Sequence, residues 1–364
     1  MNTAAAPGPS EHRFPCDSCG SDLRFDPGKD QLACDHCGNT QPLNAASPWE
    51  TQAAQAEQDY RAALAGRTAQ EDIEETRVFS CKNCGATVEF DPNLHALECP
   101  FCATPIVTDT GTHRHIKPAG LLPFDLDERV AKKSMNDWLG SLWFAPNGLQ
   151  EYARKGRKLN GIYIPYWTFD ADTKTSYKGQ RGTERTVRDG DKTRTEVSWR
   201  SVSGRVARFF DDVLIGGSTS LPQAFLRGMG TWDLSSLEPY APVYLAGFRA
   251  EAYTIELEPA FAEASKVMER QILRDIKFDI GGDRQRITSK KTHVSDVTFK
   301  HILLPVWMAA YKYRGKTYRY VVNGRTGQVY GERPWSVIKI AIAVLIAAAI
   351  AGGIGYLTGL EQAG

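Results

Sequence analysis

The sequence CDSCGSDLRFDPGKDQLACDHC, residues 16–37, places a Cys-x-x-Cys pair at each end of a short loop. In such a pair a tight turn lets both thiolates reach one ion, and the pair on the facing hairpin completes a tetrahedral shell. Gly20 directly follows the first pair and permits the positive φ of that turn. A module this small has little core of its own and depends on metal to fold. The pattern predicts a zinc ribbon that holds a structural ion.

The same module occurs a second time, 65 residues later, as CKNCGATVEFDPNLHALECPFC at residues 81–102. The chain has eight cysteines, and all of them belong to the four pairs: Cys16, Cys19, Cys34, Cys37, Cys81, Cys84, Cys99 and Cys102. Because no cysteine is left over, metal thiolates in a reducing compartment are favoured over disulfides. We predict two structural Zn²⁺ ions, each held by four thiolates that leave no open position for water or substrate.

Other chemistry at these positions is disfavoured. Redox Cys-x-x-Cys pairs usually occur singly and near the start of a helix. His36, His113 and His115 could supply further metal ligands, but each shell already contains four cysteines. We therefore expect these histidines to be solvated.

The chain carries an uncharged apolar run, IAIAVLIAAAIAGGIGYL, at residues 340–357. About twenty helical residues span the roughly 30 Å hydrocarbon core of a bilayer. The run lacks the polar stripe of a helix buried in a soluble domain. Trp335 and Lys339 precede it, as an interfacial aromatic residue and a snorkelling cation do. We predict a single transmembrane helix over residues 336–358.

The charges around this helix predict its orientation. Arg325, Arg333 and Lys339 precede the span, and Glu361 follows it. By the positive-inside rule, the bulk of the chain lies in the cytoplasm and the helix is a C-terminal anchor. The first residues, MNTAAAPGPSEH, have neither a basic nor an apolar region of a signal peptide and are expected to be a flexible leader.

Between the modules, SPWETQAAQAEQDYRAALAG predicts a polar linker helix. Ser47 and Glu50 form a capping-box pattern, Pro48 suits the first helical position, and Gly66 suits the C-terminal stop.

The remaining part of the chain contains a fainter repeat. LPFDLDERVAKKSMNDWL and YTIELEPAFAEASKVMERQIL each predict a short strand followed by a helix. Each is followed by an apolar strand with proline two residues before tryptophan, at Pro165/Trp167 and Pro305/Trp307. Proline cannot donate to a β-ladder, so each is expected at a strand edge or bulge. The pattern predicts one α+β domain built from two related halves.

The predicted fold class is therefore α+β, with two tandem all-cysteine zinc ribbons, a duplicated α+β domain and one C-terminal transmembrane helix. The predicted boundaries are a leader at 1–12, the first ribbon at 13–43, the linker helix at 47–66, the second ribbon at 78–107, the α+β domain at 116–333 and the membrane helix at 336–358.

Charge is distributed unevenly along a chain whose net charge is only +1. In residues 1–120 acidic side chains outnumber basic ones by roughly two to one, which argues against phosphate binding by the ribbons. A polar hairpin, ERTVRDGDKTRTEVSW at residues 184–199, lies within a basic stretch. The cations of this basic stretch, among them Arg181 and Arg194, could contact anionic lipid headgroups or only solvent, and both alternatives stay open.

No catalytic pattern stands out. AYKYRGKT, residues 310–317, approaches a P-loop, but Ala310 replaces the first glycine and a strand follows where the phosphate-binding helix should begin. FFDD, residues 209–212, could be a site but reads more simply as a strand end. In the apolar run, small residues recur every four positions. Such spacing is typical of helices that pair in a membrane, but it also arises by chance in an alanine-rich run, and both explanations stay open.

With these residues in view, the chain resembles a bacterial family of membrane-anchored double zinc-ribbon proteins. Members are often labelled primosomal protein N′ (replication factor Y), superfamily II helicase-like, or TFIIB-type zinc-ribbon-containing. The resemblance is carried by the Cys-x-x-Cys-Gly ribbons, LWFAP, IPYWTFDADT, SWRSVSG, FFDDVL, AGFRAE, DIGGDRQRI, FKHILLPVWMAAYKYRGKTYRYVVNGRTG and the apolar run. It implies an inner-membrane location and an association with SPFH (flotillin-like) or phage-shock-type membrane proteins. The helicase label does not agree with this chain, which lacks a complete P-loop motif.

We therefore expect a non-enzymatic, tail-anchored adapter that recruits protein partners to the cytoplasmic face of the membrane. Nucleic acid is not expected to bind, and an oligomer could form through the membrane helix. The alternative is a replication-linked factor whose ribbons bind nucleic acid, as the family label suggests.

Overall fold

The computed structural model describes residues 14–44, 46–67, 73–89, 97–102, 104–106, 110–146, 149, 159–189, 192–313 and 316–363. The predicted leader, residues 1–12, lies outside these ranges. The described chain has a mixed α+β fold with two cysteine-rich modules and a C-terminal apolar helix.

The first cysteine module is a three-stranded antiparallel sheet in the order β1–β2–β3. Its strands are β1 (Arg24–Asp26), β2 (Gln31–Ala33) and β3 (Thr40–Pro42).

The linker begins as the sequence indicates but is not one helix. Helix α1 (Pro48–Gln55) starts with the Ser47/Glu50 capping box. The chain then forms β4 (Gln58–Asp59), which pairs with residues 298–299 of the main sheet, and α2 (Tyr60–Leu64), capped by the Asp59 carboxylate. The prediction of a continuous helix over 47–66 is wrong, because sheet pairing interrupts it.

The second cysteine module contains a three-stranded sheet in the order β6–β5–β9 and a two-stranded sheet, β7–β8. The strands are β5 (Ile73–Ser80), β6 (Thr87–Glu89), β7 (Leu97–Glu98), β8 (Pro105–Ile106) and β9 (Thr110–Ile116). Because β9 pairs with β5 along its length, the module's sheet extends from residue 73 to residue 116.

The main domain is a ten-stranded sheet, which includes β4, with helices packed on it. Its helices are α3 (Glu128–Ser141), α4 (Gln223–Gly228) and α5 (Leu257–Ile280), with 3₁₀ turns at Leu234–Ser236 and Pro242–Leu245. Its strands are β10 (Gly120–Leu121), β11 (Asn160–Asp189), β12 (Lys192–Phe210), β13 (Ile215–Gly216), β14 (Glu238–Pro239), β15 (Arg249–Ala250), β16 (Arg284–Tyr313), β17 (Lys316–Asn323) and β18 (Val329–Gly331).

Two of these strands are unusually long. β11 and β16 have 30 residues each and run antiparallel to each other. At a rise of about 3.3 Å per residue, each has a contour length of about 100 Å. β12 pairs with the distal part of β11, so a three-stranded ribbon, β12–β11–β16, extends away from the other strands. The predicted hairpin at 184–199 forms the end of this ribbon, and its connection at 190–191 lies outside the described residues.

Helix α5 covers one face of the ribbon. Its buried residues recur mainly every four positions, which forms a single apolar stripe: Ala260, Ala264, Met268, Ile272, Ile276 and Ile280. The stripe shares a packed cluster with Phe169, Tyr177 and Phe299 of the long strands.

The two halves of the domain repeat the same hydrogen bonds. The Trp167 indole Nε1 donates to the Ile255 carbonyl at 2.9 Å, and the Trp307 Nε1 donates to the Leu126 carbonyl at 2.8 Å. In both cases the indole packs against an aromatic ring two residues before that carbonyl, Tyr253 at 4.9 Å and Phe124 at 5.0 Å. This pattern coincides with the repeat read from the sequence.

The repeated prolines lie in the middle of the sheet, not at an edge. Pro165 pairs in register with Leu303, and Pro305 pairs with Tyr163. Each proline carbonyl accepts from a glycine outside the β11–β16 pair, Gly217 at 2.8 Å and Gly324 at 2.9 Å. Because the proline nitrogen points to that same outer side, no hydrogen bond between the two long strands is lost.

Helix α6 (Val337–Ala363) ends the described chain. Its window Val337–Ile354 is long and apolar enough to cross a membrane, and none of that window is buried.

Candidate metal centres

The four cysteines of the first module converge on one point. The Sγ atoms of Cys16 and Cys37 are 3.6 Å apart, as are those of Cys19 and Cys34, and all four lie within 4.8 Å of one another. Four sulfurs bound tetrahedrally at about 2.3 Å from an ion would be about 3.8 Å apart. A sulfur–sulfur bond is much shorter, at about 2.05 Å. The cluster therefore fits a metal ion and not a disulfide.

The second module repeats this geometry. Sγ of Cys81 is 3.7 Å from Sγ of Cys102, and Sγ of Cys84 is 3.6 Å from Sγ of Cys99. All four sulfurs again lie within 4.8 Å of one another. Both predicted ligand sets are thus brought together, and each cluster is suitable for binding one metal ion.

Local backbone turns place these sulfurs. The N–H of Gly20 donates to the Cys16 carbonyl at 2.8 Å, and the N–H of Gly85 donates to the Cys81 carbonyl at the same distance. Both glycines have a left-handed φ, 73° and 75°, which only glycine adopts without strain. The turn directs the two sulfurs of a pair toward the same point.

The protein environment lowers the thiol pKa at three of these positions, Cys16, Cys19 and Cys84. Burial acts to raise the pKa of Cys16, but the backbone N–H groups of Ser18 and Cys19 outweigh it and bring that pKa down to about 6. The pKa of Cys84 is lowered to about 5, mainly because the Cys99 thiol donates to its sulfur. Each cluster therefore holds a thiolate near neutral pH, which is the form that binds metal.

The first module is built into the core of the main domain. The ring of Phe25 is fully buried and meets Tyr244 edge-on at 5.3 Å. The backbone N–H of Gly28 donates to the Phe124 carbonyl at 3.1 Å. A Cβ at Gly28 would come within 2.7 Å of the Asp125 carbonyl oxygen, so only glycine allows this approach.

The second module joins the domain at Glu251. Val88 forms a β-bridge with Glu251, and the N–H of Ala252 donates to the Thr87 carbonyl at 3.1 Å. The Glu251 carboxyl group is buried and accepts a hydrogen bond from the Ser218 hydroxyl at 2.6 Å. Burial raises its pKa to about 8, so it is mainly protonated at neutral pH. Sequence analysis included Glu251 only as the last residue of AGFRAE and gave it no role, since no local pattern distinguishes it from an exposed glutamate.

A third group of acidic side chains, Glu57, Asp170 and Asp212, also lies within 4.8 Å. The buried ammonium group of Lys300 sits among them, with Nζ 2.5 Å from Glu57 Oε1 and 3.0 Å from Asp212 Oδ1. Burial, followed by the neighbouring carboxylates, raises the pKa of Asp170 to about 7. A protein cation thus lies among these carboxyl groups and offsets part of their negative charge. Asp212, which the FFDD stretch suggested as a possible site residue, has a structural ion pair instead.

The histidines are placed differently from one another. His36 is exposed, as expected for a solvated side chain. His115 is buried and meets the Tyr253 ring edge-on at 6.1 Å, so the expectation of solvation is wrong for it. The side chain of His113 lies outside the described residues.

One similar protein comes from Bacillus subtilis (strain 168) and carries the name "Uncharacterized protein YdjG". It is 26% identical to this chain over 329 residues, which are 90% of this chain and 92% of that protein. No protein-family profile matches the chain. No solved structure matches it either. The similarity therefore runs along most of both proteins and names no activity.

Proposed function

We propose that this chain is a non-enzymatic, membrane-anchored adapter that carries two structural Zn²⁺ ions and recruits protein partners to the cytoplasmic face of the inner membrane. One observation carries the proposal: no residue of the apolar window Val337–Ile354 is buried by the rest of the protein. Fully burying one valine, leucine or isoleucine side chain stabilises by about 1.5–3 kcal/mol. A helix with so many such side chains exposed is far more stable in a bilayer than in water.

The residues at the start of this helix support an interfacial position. Lys339 Nζ donates to the Trp143 carbonyl at 3.1 Å, which holds Trp143 beside the helix. Trp143 is 81% exposed and Trp335 is 55% exposed. Exposed tryptophans next to a lysine are typical of a membrane–water boundary. Trp143 lies far from the helix in sequence and was not foreseen as part of this boundary.

Zinc is the ion that suits both cysteine clusters best. Four thiolates at tetrahedral spacing are a common structural zinc site, although iron also binds such sets. Cys16, Cys34, Cys81 and Cys99 are buried among the residues of the domain core. When bound, the ion would cross-link two hairpin turns and would carry no reaction.

A protein partner is favoured over nucleic acid at the first module, because Arg24 and Lys29, the cations among its described residues, are already paired. Arg24 contacts Asp35 at 2.8 Å, and Lys29 contacts Asp26 at 3.1 Å. Phosphate binding depends on cations that are free to neutralise phosphates. The resemblance noted above implies SPFH (flotillin-like) or phage-shock-type proteins as the partners.

The test is cross-linked affinity purification of the full chain from detergent-solubilised membranes. The variant Cys81→Ser/Cys84→Ser is compared with wild type and with Lys82→Ser, an exposed change in the same turn. We expect wild type and Lys82→Ser to fractionate with membranes and to recover the same SPFH or phage-shock-type protein, and the double variant to lose it.

Three outcomes would contradict the proposal. The zinc modules have no part in recruitment if the double variant recovers the same partner, and the membrane anchor is wrong if wild type is found in the soluble fraction. A salt-dependent shift of a DNA duplex by the purified chain would favour the nucleic-acid alternative. Protease treatment of sealed inverted vesicles tests orientation, since the domain should be digested from the cytoplasmic side.

A further inference from the structure

The three-stranded ribbon has one covered face and one open face. Along β11, Thr173, Thr175 and Tyr177 are buried on the side of α5. Lys174, Ser176 and Lys178 alternate with them and are exposed on the opposite side. Because side chains alternate between the faces of a strand, residues paired with these three positions share the open face.

The strand register concentrates cations on this open face. Ser176 pairs with Arg205 of β12 on one side and with Lys291 of β16 on the other. Lys174 and Lys178 lie two residues before and after Ser176 on the same strand. We call these four cations, Lys174, Lys178, Arg205 and Lys291, the cation face. Ser203 and Ser289 flank Lys178, and with Ser176 they line a depression of about 690 Å³ together with the neighbouring cations.

The cation face has little counter-charge, with Asp172, two residues before Lys174 on the same side of β11, as its neighbouring carboxylate. None of its four cations forms an ion pair with a residue in the described ranges, whereas neighbouring ribbon cations do. On the helix side, Arg208 contacts Asp275 at 2.6 Å and Lys290 contacts Glu269 at 2.7 Å. Neighbouring like charges on one face of a sheet destabilise it. A bound anion would remove this repulsion, and the serine hydroxyls would add hydrogen-bond donors.

We propose that an acidic helical segment of a protein partner docks on the cation face. The face spans two inter-strand spacings, about 10 Å, which matches the 10–12 Å diameter of a helix. Lys174 and Lys178 are four strand residues, about 13 Å, apart. Acidic side chains at positions i and i+8 of a helix, about 12 Å apart, would meet both.

The same surface suits single-stranded nucleic acid less well. Such ligands stack their bases on exposed aromatic rings. Two exposed rings lie at one end of this face, since His293 pairs with Lys174 and Phe209 pairs with Asp172. At the other end, the Arg286 guanidinium covers the Trp199 ring at 4.0 Å. The residues paired with Ser176 and Lys178 are Arg205, Lys291, Ser203 and Ser289, so no ring continues a stack across the rest of the face.

The face is also distant along the chain from the proposed membrane anchor. β16 pairs with β17 beyond Val306, and β17 and β18 lead directly to α6. Lys291 precedes Ala309 by 18 residues, which is about 60 Å along the strand. The inference rests on the proposed adapter function and assigns its partner-binding surface to the ribbon.

The test uses the full chain in phosphatidylcholine nanodiscs and a fluorescein-labelled, alanine-based helical peptide with glutamate at every fourth position. The control peptide has glutamine at those positions. Binding is measured by fluorescence anisotropy. We expect the acidic peptide to bind, and Lys178→Glu/Lys291→Glu to weaken binding by about tenfold, the equivalent of 1.4 kcal/mol. The matched control, Arg185→Glu/Arg200→Glu, changes the charge equally on the opposite face of the ribbon and should bind as wild type does.

Several results would overturn the inference. Equal weakening by both double variants would show that only net charge matters. Equal binding of the glutamine peptide would exclude charge recognition. A 20-base-pair duplex, or phosphatidylglycerol in the nanodisc, that displaces the acidic peptide from wild type would assign the face to phosphates.

The membrane purification separates this inference from the adapter function. If Lys178→Glu/Lys291→Glu still recovers the partner that wild type recovers, the cation face is wrong and the adapter stands. If wild type recovers no partner, the adapter function itself is wrong, even if the acidic peptide binds in the anisotropy assay.

Discussion

Ile164 and Leu304 pair directly across β11 and β16, and each occupies the same position in its own half of the domain. The two positions are 140 residues apart, as are Pro165 and Pro305. When equivalent residues of two antiparallel strands face each other, a local two-fold axis passes between them. The short strands obey the same symmetry, since Gly120 of β10 pairs with Ile302 and Arg249 of β15 pairs with Ile162.

This symmetry predicts matched effects of two distant substitutions. Trp167→Phe and Trp307→Phe each remove an indole N–H and leave a partly buried carbonyl without this donor. We expect each to lower the free energy of unfolding by about 1–3 kcal/mol, with similar values for the two. Chemical denaturation of the detergent-solubilised chain measures this, and Trp143→Phe at an exposed position is the control. An effect at only one of the two tryptophans would show that the repeated bonds differ in strength.

Metal removal should affect the whole domain. Phe25 and Trp307 belong to one packed cluster with Cys16 and Cys34. We expect Cys16→Ser/Cys19→Ser to reduce the zinc content from two ions to one per chain and to lower the domain's unfolding temperature. Elemental analysis and thermal unfolding measure the two effects. A variant that loses one ion but melts as wild type does would show that the module folds independently of the domain.

Glu251 should make stability depend on pH. Its pKa is raised from 4.5 to about 8 in the folded protein because it is buried. Between these values the folded state keeps a proton that the unfolded state releases. The free energy of unfolding therefore falls as pH rises, by up to about 1.4 kcal/mol per pH unit from this group. The contribution of Glu251 to the free energy of unfolding is fully present below its unfolded pKa of 4.5. It is lost as the pH rises through its folded pKa of about 8.

Glu251→Gln should flatten this dependence, because the amide stays neutral. Unfolding of both proteins is compared between pH 6 and 8.5 with zinc in excess, and Glu263→Gln on the exposed surface of α5 is the control. If the difference between wild type and Glu251→Gln does not change with pH, the folded-state pKa of Glu251 is not raised.

Lys300 should be essential for holding the linker to the sheet. Lys300→Met leaves Glu57, Asp170 and Asp212 together without their cation. Breaking a buried ion pair by removing one partner costs about 3–5 kcal/mol. We expect a loss of this size in denaturant unfolding and faster proteolysis of residues 46–67. Lys266→Met, which removes an exposed cation of α5, should change stability by less than about 0.5 kcal/mol. A wild-type proteolysis rate in Lys300→Met would mean that β4 pairing alone holds the linker.

The sequence predicted features that depend on nearby residues. The cysteine spacing identified both clusters, and Ser47 with Glu50 identified the start of α1. The alternation of polar residues predicted the hairpin at 184–199. In each case the interacting groups lie within a few tens of residues of one another, so the pattern is visible in one window.

Features that depend on distant residues were not predictable in this way. The linker helix breaks after Gln55 because Glu57 reaches Lys300, 243 residues away. The prolines were expected at a strand edge because a single strand does not reveal which side its partner occupies. Pro165 and Pro305 are tolerated centrally because their neighbours, Gly217 and Gly324, come from other parts of the chain.

One cluster of the core joins residues from the beginning and the end of the chain, so it cannot pack until most of the chain has been synthesised. Phe25 and Trp307 share one cluster although 282 residues separate them. At about 5–20 residues per second, synthesis of that interval takes roughly 15 to 55 s. Throughout this time the first cysteine module has left the ribosome without the strands that cover it. The sulfurs of this module are therefore accessible to a metal ion before the domain closes over them, and metal binding does not have to wait for the complete chain.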